Sequence, residues 1–166
     1  MIKKICFALF ILFAFHSCTR DDICPETTQT TPLLIVTFNN AVIPTERKQA
    51  PGLTIETTLE NSEIVLDNET TDSIAIPLNA GADITQYRFT INSDSETEIP
   101  NTDIVEFIYE REDIYVSRAC SFKTNFNNLQ ADVEDEGDSN WIFQIDVNAL
   151  NNTVEDENET HITILH

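Results

Sequence analysis

The sequence is poor in basic residues and has no long apolar run. Only 9 of its 166 residues are Lys or Arg, against 29 Asp and Glu, so the formal net charge is −20. Binding of DNA or RNA is therefore not expected, because phosphate recognition needs clusters of Lys and Arg. The length suits one domain and leaves no room for a second core of useful size. The 41% hydrophobic fraction is enough for a packed core, which argues against wholesale disorder.

Histidine is also scarce, and the four cysteines include no Cys-x-x-Cys pair. His161 and His166 both lie in the last strand-like segment, so a Ser-His-Asp arrangement has no natural place and zinc lacks ligands. We therefore expect a protein that is not an enzyme, with no catalytic residues, no metal and no cofactor. His161 alternates onto the same side as Leu165 and is expected at a strand surface or an interface.

The N-terminus has the pattern of an export signal. A basic start (residues 1–4) precedes 11 apolar residues (5–15), far fewer than the roughly 20 that a transmembrane helix needs. This pattern is typical of a secretory signal peptide. The sequence Phe15-His16-Ser17-Cys18 then resembles a bacterial lipobox, in which cleavage before Cys18 leaves a thiol that carries diacylglycerol. The alternatives are an ordinary cleaved signal and a core helix.

Cleavage at this position divides the chain into three parts. These are a lipoprotein signal peptide (residues 1–17), a lipidated cysteine with a polar linker (18–31) and one folded domain (32–166). The mature chain has 149 residues and 7 basic against 29 acidic groups. Thr19 is not the Asp that retains enterobacterial lipoproteins in the inner membrane, so the outer membrane is favoured. Arg20-Asp21-Asp22 resembles a surface-export signal, and both the periplasmic side and the cell surface stay open.

The cysteine count suggests one disulfide bond. Cys6 leaves with the signal peptide and Cys18 is used for lipidation. Cys24 and Cys120 remain in an oxidising compartment, where an even remainder of two favours a bridge. It would close a loop of 96 residue steps and stabilise the fold by at most about 4.7 kcal/mol. Such a bridge would fix the start of the domain close to the membrane linker; two buried free thiols are the alternative.

Apolar and polar side chains alternate through most of the chain after Pro32, as in half-buried β-strands. The alternating runs cover residues 34–38, 53–59, 74–78, 87–91, 105–109, 114–116, 120–126, 141–147 and 161–165. Pro77 places its strand at a sheet edge, and 127–136 holds a short helix at most. The pattern predicts an all-β, antiparallel β-sandwich of immunoglobulin-like type with seven to nine short strands. A small closed barrel is the alternative.

One stretch concentrates the scarce positive charge. Three of the seven mature basic residues lie within 13 positions, namely Arg111, Arg118 and Lys123. Neighbouring carboxylates (Glu110, Glu112 and Asp113) are expected to pair with them, since arginine binds carboxylates in a fixed geometry. Two interpretations remain open: a structural ion-pair network near the disulfide, and a partner contact that uses Arg111, Tyr115, Arg118 and Lys123.

Two acidic clusters raise the question of calcium. They lie at residues 132–138, around Gly137, and at 155–159. Calcium takes several carboxylate oxygens, but the first cluster lacks the spacing of an EF-hand loop. Solvated loops are the favoured interpretation. Together with Trp141, which lies in the run with the largest apolar face, these clusters define an alternative function, a carbohydrate- or calcium-binding module at the cell surface.

The chain as a whole resembles a family of small Bacteroidota lipoproteins of flavobacterial type, defined only as a domain of unknown function. The resemblance rests on the lipobox and on segments at residues 21–25, 31–35, 73–79, 111–120 and 123–126. Both Cys24 and Cys120 lie in these segments, which supports the bridge. Asp72-Ser73-Ile74 also resembles the O-glycosylation motif of exported proteins in that phylum, with Ser73 as the acceptor. The resemblance implies location and shape, and it brings no activity.

The sequence therefore predicts a lipoprotein anchored in the outer membrane, of unknown biochemical role. The favoured role is that of a structural or accessory module that contacts other proteins. Its expected partners are the membrane, through the lipid anchor, and a protein of the outer membrane or envelope.

Overall fold

A computed structural model describes residues 23–134 and 139–166. The strands, in chain order, are β1 (Leu34–Asn39), β2 (Ala50–Thr57), β3 (Ile64–Thr71), β4 (Ser73–Ile76), β5 (Ile84–Ile91), β6 (Asn101–Ser117), β7 (Ser121–Val133), β8 (Gln144–Val147) and β9 (Ile162–Leu165). In the described part of the chain, no helix has the length and apolar character needed to cross a membrane. The predicted signal peptide, the lipidation site Cys18 and the Arg20-Asp21-Asp22 signal lie outside the described residues.

The strands form two sheets that pack face to face. A four-stranded sheet has the order β4-β1-β9-β8, and a five-stranded sheet has the order β3-β2-β5-β6-β7. All pairings are antiparallel except that of β1 with β9, which is parallel. The predicted all-β sandwich with seven to nine strands is confirmed. The strand order differs from that of constant immunoglobulin domains, in which four strands ABED face three strands CFG.

The core lies between the two sheets and contains side chains from both. Phe38 of β1 and Ile164 of β9 belong to the same buried cluster as Phe89 of β5 and Phe107 of β6. Trp141 joins the layers, since its ring lies 6.4 Å from that of Phe38 and its Nε1–H donates to the carbonyl of Phe89 at 3.0 Å. A buried indole needs such a partner, because an unpaired buried donor costs free energy.

Several strand boundaries differ from those predicted by the alternation. The runs at 105–109 and 114–116 belong to one long strand, β6, which pairs with β7 along most of its length. The segment after Asn127 continues β7 as far as Val133, so its described part contains no helix, within the limit of a short helix at most that the sequence set. The edge position predicted from Pro77 is confirmed, because β4 is an outer strand and ends at Ile76.

The two ends of the sandwich have different loops. At one end lie the β1–β2 and β5–β6 connections, where Asn92 N–H donates to the Pro51 carbonyl. We call this the distal end. At the other end lie the β4–β5 and β8–β9 connections, and from this end the β6–β7 hairpin projects. Beyond the Ile84–Ile108 pair β6 has no pairing with β5, so residues 110–127 form a two-stranded extension that we call the arm.

Candidate functional site

The arm brings together every residue for which the sequence predicts a contact role. Its strands stay paired from Glu110 and Asn127 to Ser117 and Ser121. At the turn, the backbone N–H of Cys120 donates to Ser117 Oγ at 3.1 Å, and Ser121 has a positive φ of 63°. A left-handed residue of this kind is typical of hairpin loops of three to five residues. The turn therefore places Cys120 at the far end of the arm, and we call this end (residues 114–123) the tip.

A disulfide joins the tip to the N-terminal segment. Cys24 and Cys120 are bonded, with their Cα atoms 4.8 Å apart, and this confirms the predicted bridge. Two hydrogen bonds extend the attachment along the arm. Thr124 N–H donates to Thr31 Oγ1 at 3.0 Å, and Lys123 Nζ donates to Gln29 Oε1 at 3.2 Å. The polar linker is thus fixed to the fold from Cys24 onwards.

Arg111 holds the base of the arm. Its Nε lies 2.7 Å from Asp83 Oδ1, and its Nη1 donates to the Ala80 carbonyl at 2.8 Å. The hydrogen bond to Asp83 is the main cause that raises the pKa of the guanidinium above its ordinary value. The partner is therefore a carboxylate of the β4–β5 loop, and not one of the sequence neighbours that the charge pattern indicated.

Those neighbouring carboxylates have other partners within the arm. Asp113 Oδ1 accepts from Thr124 Oγ1 at 2.7 Å, and Glu112 Oε2 accepts from Asn127 Nδ2 at 3.2 Å. Across the described residues, the Arg111–Asp83 contact is the one ion pair. The predicted network near the disulfide is thus mainly made of neutral and charge-assisted hydrogen bonds.

Tyr115 and Arg118 remain directed to solvent. Tyr115 is 59% exposed and forms an edge-to-face pair with Phe122, which is 61% exposed; their ring centroids are 5.4 Å apart. Arg118 lies in the turn, is exposed and has no ion pair among residues 23–134 and 139–166. Of the four predicted contact residues, two are engaged within the chain and two are available.

Phe122 is the surface residue that the sequence did not reveal. It shares its strand face with Phe126, which is buried against Tyr109. Alternation assigns both to the core, but the arm extends past the opposite sheet, so Phe122 has no layer to cover it. The alternation of apolar and polar residues does not indicate where the opposite sheet stops covering β7.

His161 is buried, so the prediction of a strand-surface or interface histidine was wrong. It directly precedes β9, the inner strand beside β1, and its Nδ1 accepts from the backbone N–H of Ile35 at 3.1 Å. Burial lowers the pKa of His161, while the carboxylates of Asp156, Glu157 and Glu159 act in the opposite direction. The imidazole therefore serves as a neutral acceptor that joins two segments of the four-stranded sheet.

Among the residues that the structure describes, the features behind the alternative function are not grouped into a ligand site. Trp141 is 7% exposed and its N–H is used by Phe89, so it offers no face to a sugar. Phe143, assigned to the same apolar face, points outward instead and is 74% exposed. In the described residues no group of three or more His, Cys, Asp or Glu could hold a metal ion. Residues 135–138 of the first acidic cluster lie outside that description.

Ser73 begins β4 at the distal end. It is exposed and pairs with Thr37 of β1 at the edge of the four-stranded sheet. The hydroxyl of a first residue on an outer strand is accessible to a modifying enzyme. The assignment of Ser73 as a glycosylation site stays a prediction.

The fold and the arm define a small β-sandwich with a disulfide-fixed hairpin extension. The model of DUF6452, a family of unknown function, matches residues 52–166, and the chain belongs to this family. The match includes the whole arm, whereas Cys24 lies before it. No curated protein and no solved structure matches the chain significantly.

Proposed function

We propose that the protein is a lipoprotein anchored through Cys18 in the outer membrane, where it serves as a non-catalytic accessory module that contacts another envelope protein. Two observations support it: the N-terminal pattern of an export signal with a lipobox, and the disulfide that fixes the N-terminal segment to the arm.

The disulfide carries this proposal. Cys24 follows Cys18 by six residues and is bonded to the tip of the arm. Six residues span at most about 22 Å, so a lipid at Cys18 would hold the tip near the membrane. A stable disulfide also fits an exported protein, because the cytoplasm keeps most thiols reduced.

A non-catalytic role agrees with the state of the reactive groups in the described residues. Both cysteines there are oxidised, and His161 is buried with its Nδ1 bonded to backbone. His166 Nε2 faces the Lys48 carbonyl at 3.3 Å, and burial lowers the pKa of this histidine. Both imidazoles thus face backbone groups.

We place the protein contact at the distal end. Val42 and Ile99, in the β1–β2 and β5–β6 connections, are each 87% exposed. An anchor near the arm would direct this end away from the bilayer, where a partner can reach it. Apolar side chains at this end could enter the buried centre of a protein contact, which is more apolar than the rest of the surface.

Lipidation is tested by paired substitutions in the full-length chain. Cys18→Ala should release the protein from the membrane fraction, and mass spectrometry should no longer find a lipid on the N-terminal peptide. Cys6→Ala, inside the predicted signal peptide, is the matched control and should change neither result. Membrane retention of the Cys18→Ala protein would contradict the anchor.

The contact surface is tested by photo-crosslinking in intact envelopes. A photoreactive residue at Ile99 should give one discrete protein adduct. The same residue at Leu150, which is 99% exposed in the β8–β9 connection, is the matched control at the other end and should give none. Equal labelling from both positions would contradict a distal contact.

A further inference from the structure

The tip of the arm has a composition unlike the rest of this acidic protein. Between Ile114 and Lys123 the sequence contains two basic residues and no Asp or Glu, although the whole chain carries a net charge of −20. This stretch therefore carries a local positive charge, which favours an anionic surface as its neighbour.

The exposed aromatic pair lies on this positive segment. Tyr115 and Phe122 pack edge to face at 5.4 Å, and neither ring is covered by the sandwich. Ile23 is also exposed and precedes Cys24, which the disulfide holds against the tip. Exposed apolar side chains beside a cation are typical of segments that enter the interface of a bilayer, where Tyr places its ring among acyl chains and its hydroxyl among headgroups.

The covalent path restricts what can cover this surface. The described part of the chain starts at Ile23. Cys18 precedes Ile23 by five residues. A lipid at Cys18 would bring headgroups within about 22 Å of Cys24, and hence of the tip to which Cys24 is bonded. With that lipid in place, a bilayer surface is always within reach of the tip, whereas a protein partner would have to be recruited to it.

We infer that the tip rests on the surface of the anchoring membrane, with Tyr115 and Phe122 in the headgroup region and Arg118 facing lipid phosphates. This inference rests on the proposed lipidation of Cys18. The acyl chains alone retain the protein, since two or three such chains hold a protein at a bilayer. The tip adds orientation: with a second point of contact, the arm stands on the membrane and the distal end faces away from it.

Fluorescence quenching tests the position of the tip. The protein has one tryptophan, Trp141, which is buried and gives a constant background. The lipidated Phe122→Trp protein is placed in vesicles of phosphatidylethanolamine and phosphatidylglycerol with brominated acyl chains. We expect about half of its total fluorescence to be quenched, since interfacial indoles approach the acyl chains. Phe143→Trp, at a comparably exposed aromatic position near the distal end, is the matched control and should be quenched no more than the wild-type protein.

Two further variants test the charge of Arg118 and the contact of Tyr115 with lipid. Adding Arg118→Glu to Phe122→Trp should reduce the quenching about twofold in anionic vesicles and leave it unchanged in vesicles of phosphatidylcholine alone. A photoreactive residue at Tyr115 should label lipid in intact envelopes.

Three outcomes would overturn the inference: equal quenching of Phe122→Trp and Phe143→Trp, no effect of Arg118→Glu in anionic vesicles, or a discrete protein adduct from Tyr115. The mass of the N-terminal peptide is measured on the same samples. Loss of quenching with the lipid present rejects the membrane contact of the tip alone, whereas absence of the lipid rejects the proposed anchor.

Discussion

Arg111 and Asp83 connect the arm to the body of the sandwich. The guanidinium lies 2.7 Å from the carboxylate, and it also donates to the Ala80 carbonyl in the same β4–β5 loop. Tyr109, two residues earlier on β6, has its hydroxyl 3.0 Å from the Asn79 carbonyl. Two alternate positions of β6 thus fasten the β4–β5 loop to the base of the arm.

Removing the ion pair should loosen this loop without unfolding the protein. Asp83→Asn leaves the arm intact but replaces a charge-assisted contact with a neutral one. Because both side chains are partly exposed, solvent screens the pair and the thermal midpoint should change little. Hydrogen exchange should become faster for backbone amides at residues 80–83. Exchange that accelerates equally throughout β5 and β6 would show that the contact supports the whole sheet.

Loss of the disulfide should destabilise the domain more than any other single change at the arm. Cys24→Ser with Cys120→Ser removes a bridge across 96 residues, and the expected loss in free energy of unfolding is up to about 4.7 kcal/mol. Denaturant unfolding with and without reductant measures it. Reductant should lower the midpoint of the wild-type protein and leave that of the double variant unchanged. Two titratable thiols in the oxidised mature protein would contradict the bridge.

Stability should fall as the pH is lowered through the histidine range. Burial gives His161 a lower pKa in the folded state than in the unfolded state, so below about pH 6.5 the unfolded chain binds more protons. The stabilisation is fully present above that pH and declines as the pH approaches the folded-state value. His161→Asn keeps an acceptor for the Ile35 N–H but does not titrate, so its stability should depend less steeply on pH. His166 has the same direction of shift and accounts for part of the remaining slope.

Glycosylation of Ser73 should be visible as a mass difference. Ser73→Ala should remove the modification from protein isolated from its own envelope, because the acceptor hydroxyl is lost. Ser95→Ala is the control, since Ser95 is also exposed and follows an Asp but is followed by Glu96 and not by an aliphatic residue. An unchanged mass for Ser73→Ala would exclude this site.

The sequence predicts the sandwich well because alternation reports which residues face a second layer. Leu34, Val36 and Phe38 of β1 alternate and are all fully buried. The prediction fails where the layer ends or the backbone deviates. In β3, the Asp67-Asn68 pair has a composition typical of a turn, yet Asn68 has a φ of 44° inside a strand whose pairing with β2 shifts register. A left-handed residue in a bulge and one in a turn look alike in sequence.

The arm shows a second limit of prediction from the sequence. The cation cluster and the cysteine pair were identified because charge and cysteine counts are properties of the sequence. The partner of Arg111 was missed because Asp83 is 28 positions away and meets it only through the pairing of β5 with β6. His161 was misplaced for a similar reason: only the parallel pairing of β1 with β9 shows that its strand is internal.

That parallel pairing also sets the order in which the fold can be completed. Val36 of β1 pairs with Ile162 of β9, and hydrogen bonds between these strands connect residues 125 or more positions apart. Because β9 lies between β1 and β8, the four-stranded sheet cannot close until β9 (Ile162–Leu165) is present. Contacts of such long range slow folding. In a chain that crosses a membrane from its N-terminus, β1 could pair with β4 along one edge, but its other edge would stay unpaired until β9 arrived. Such a chain would complete its fold only after it had crossed.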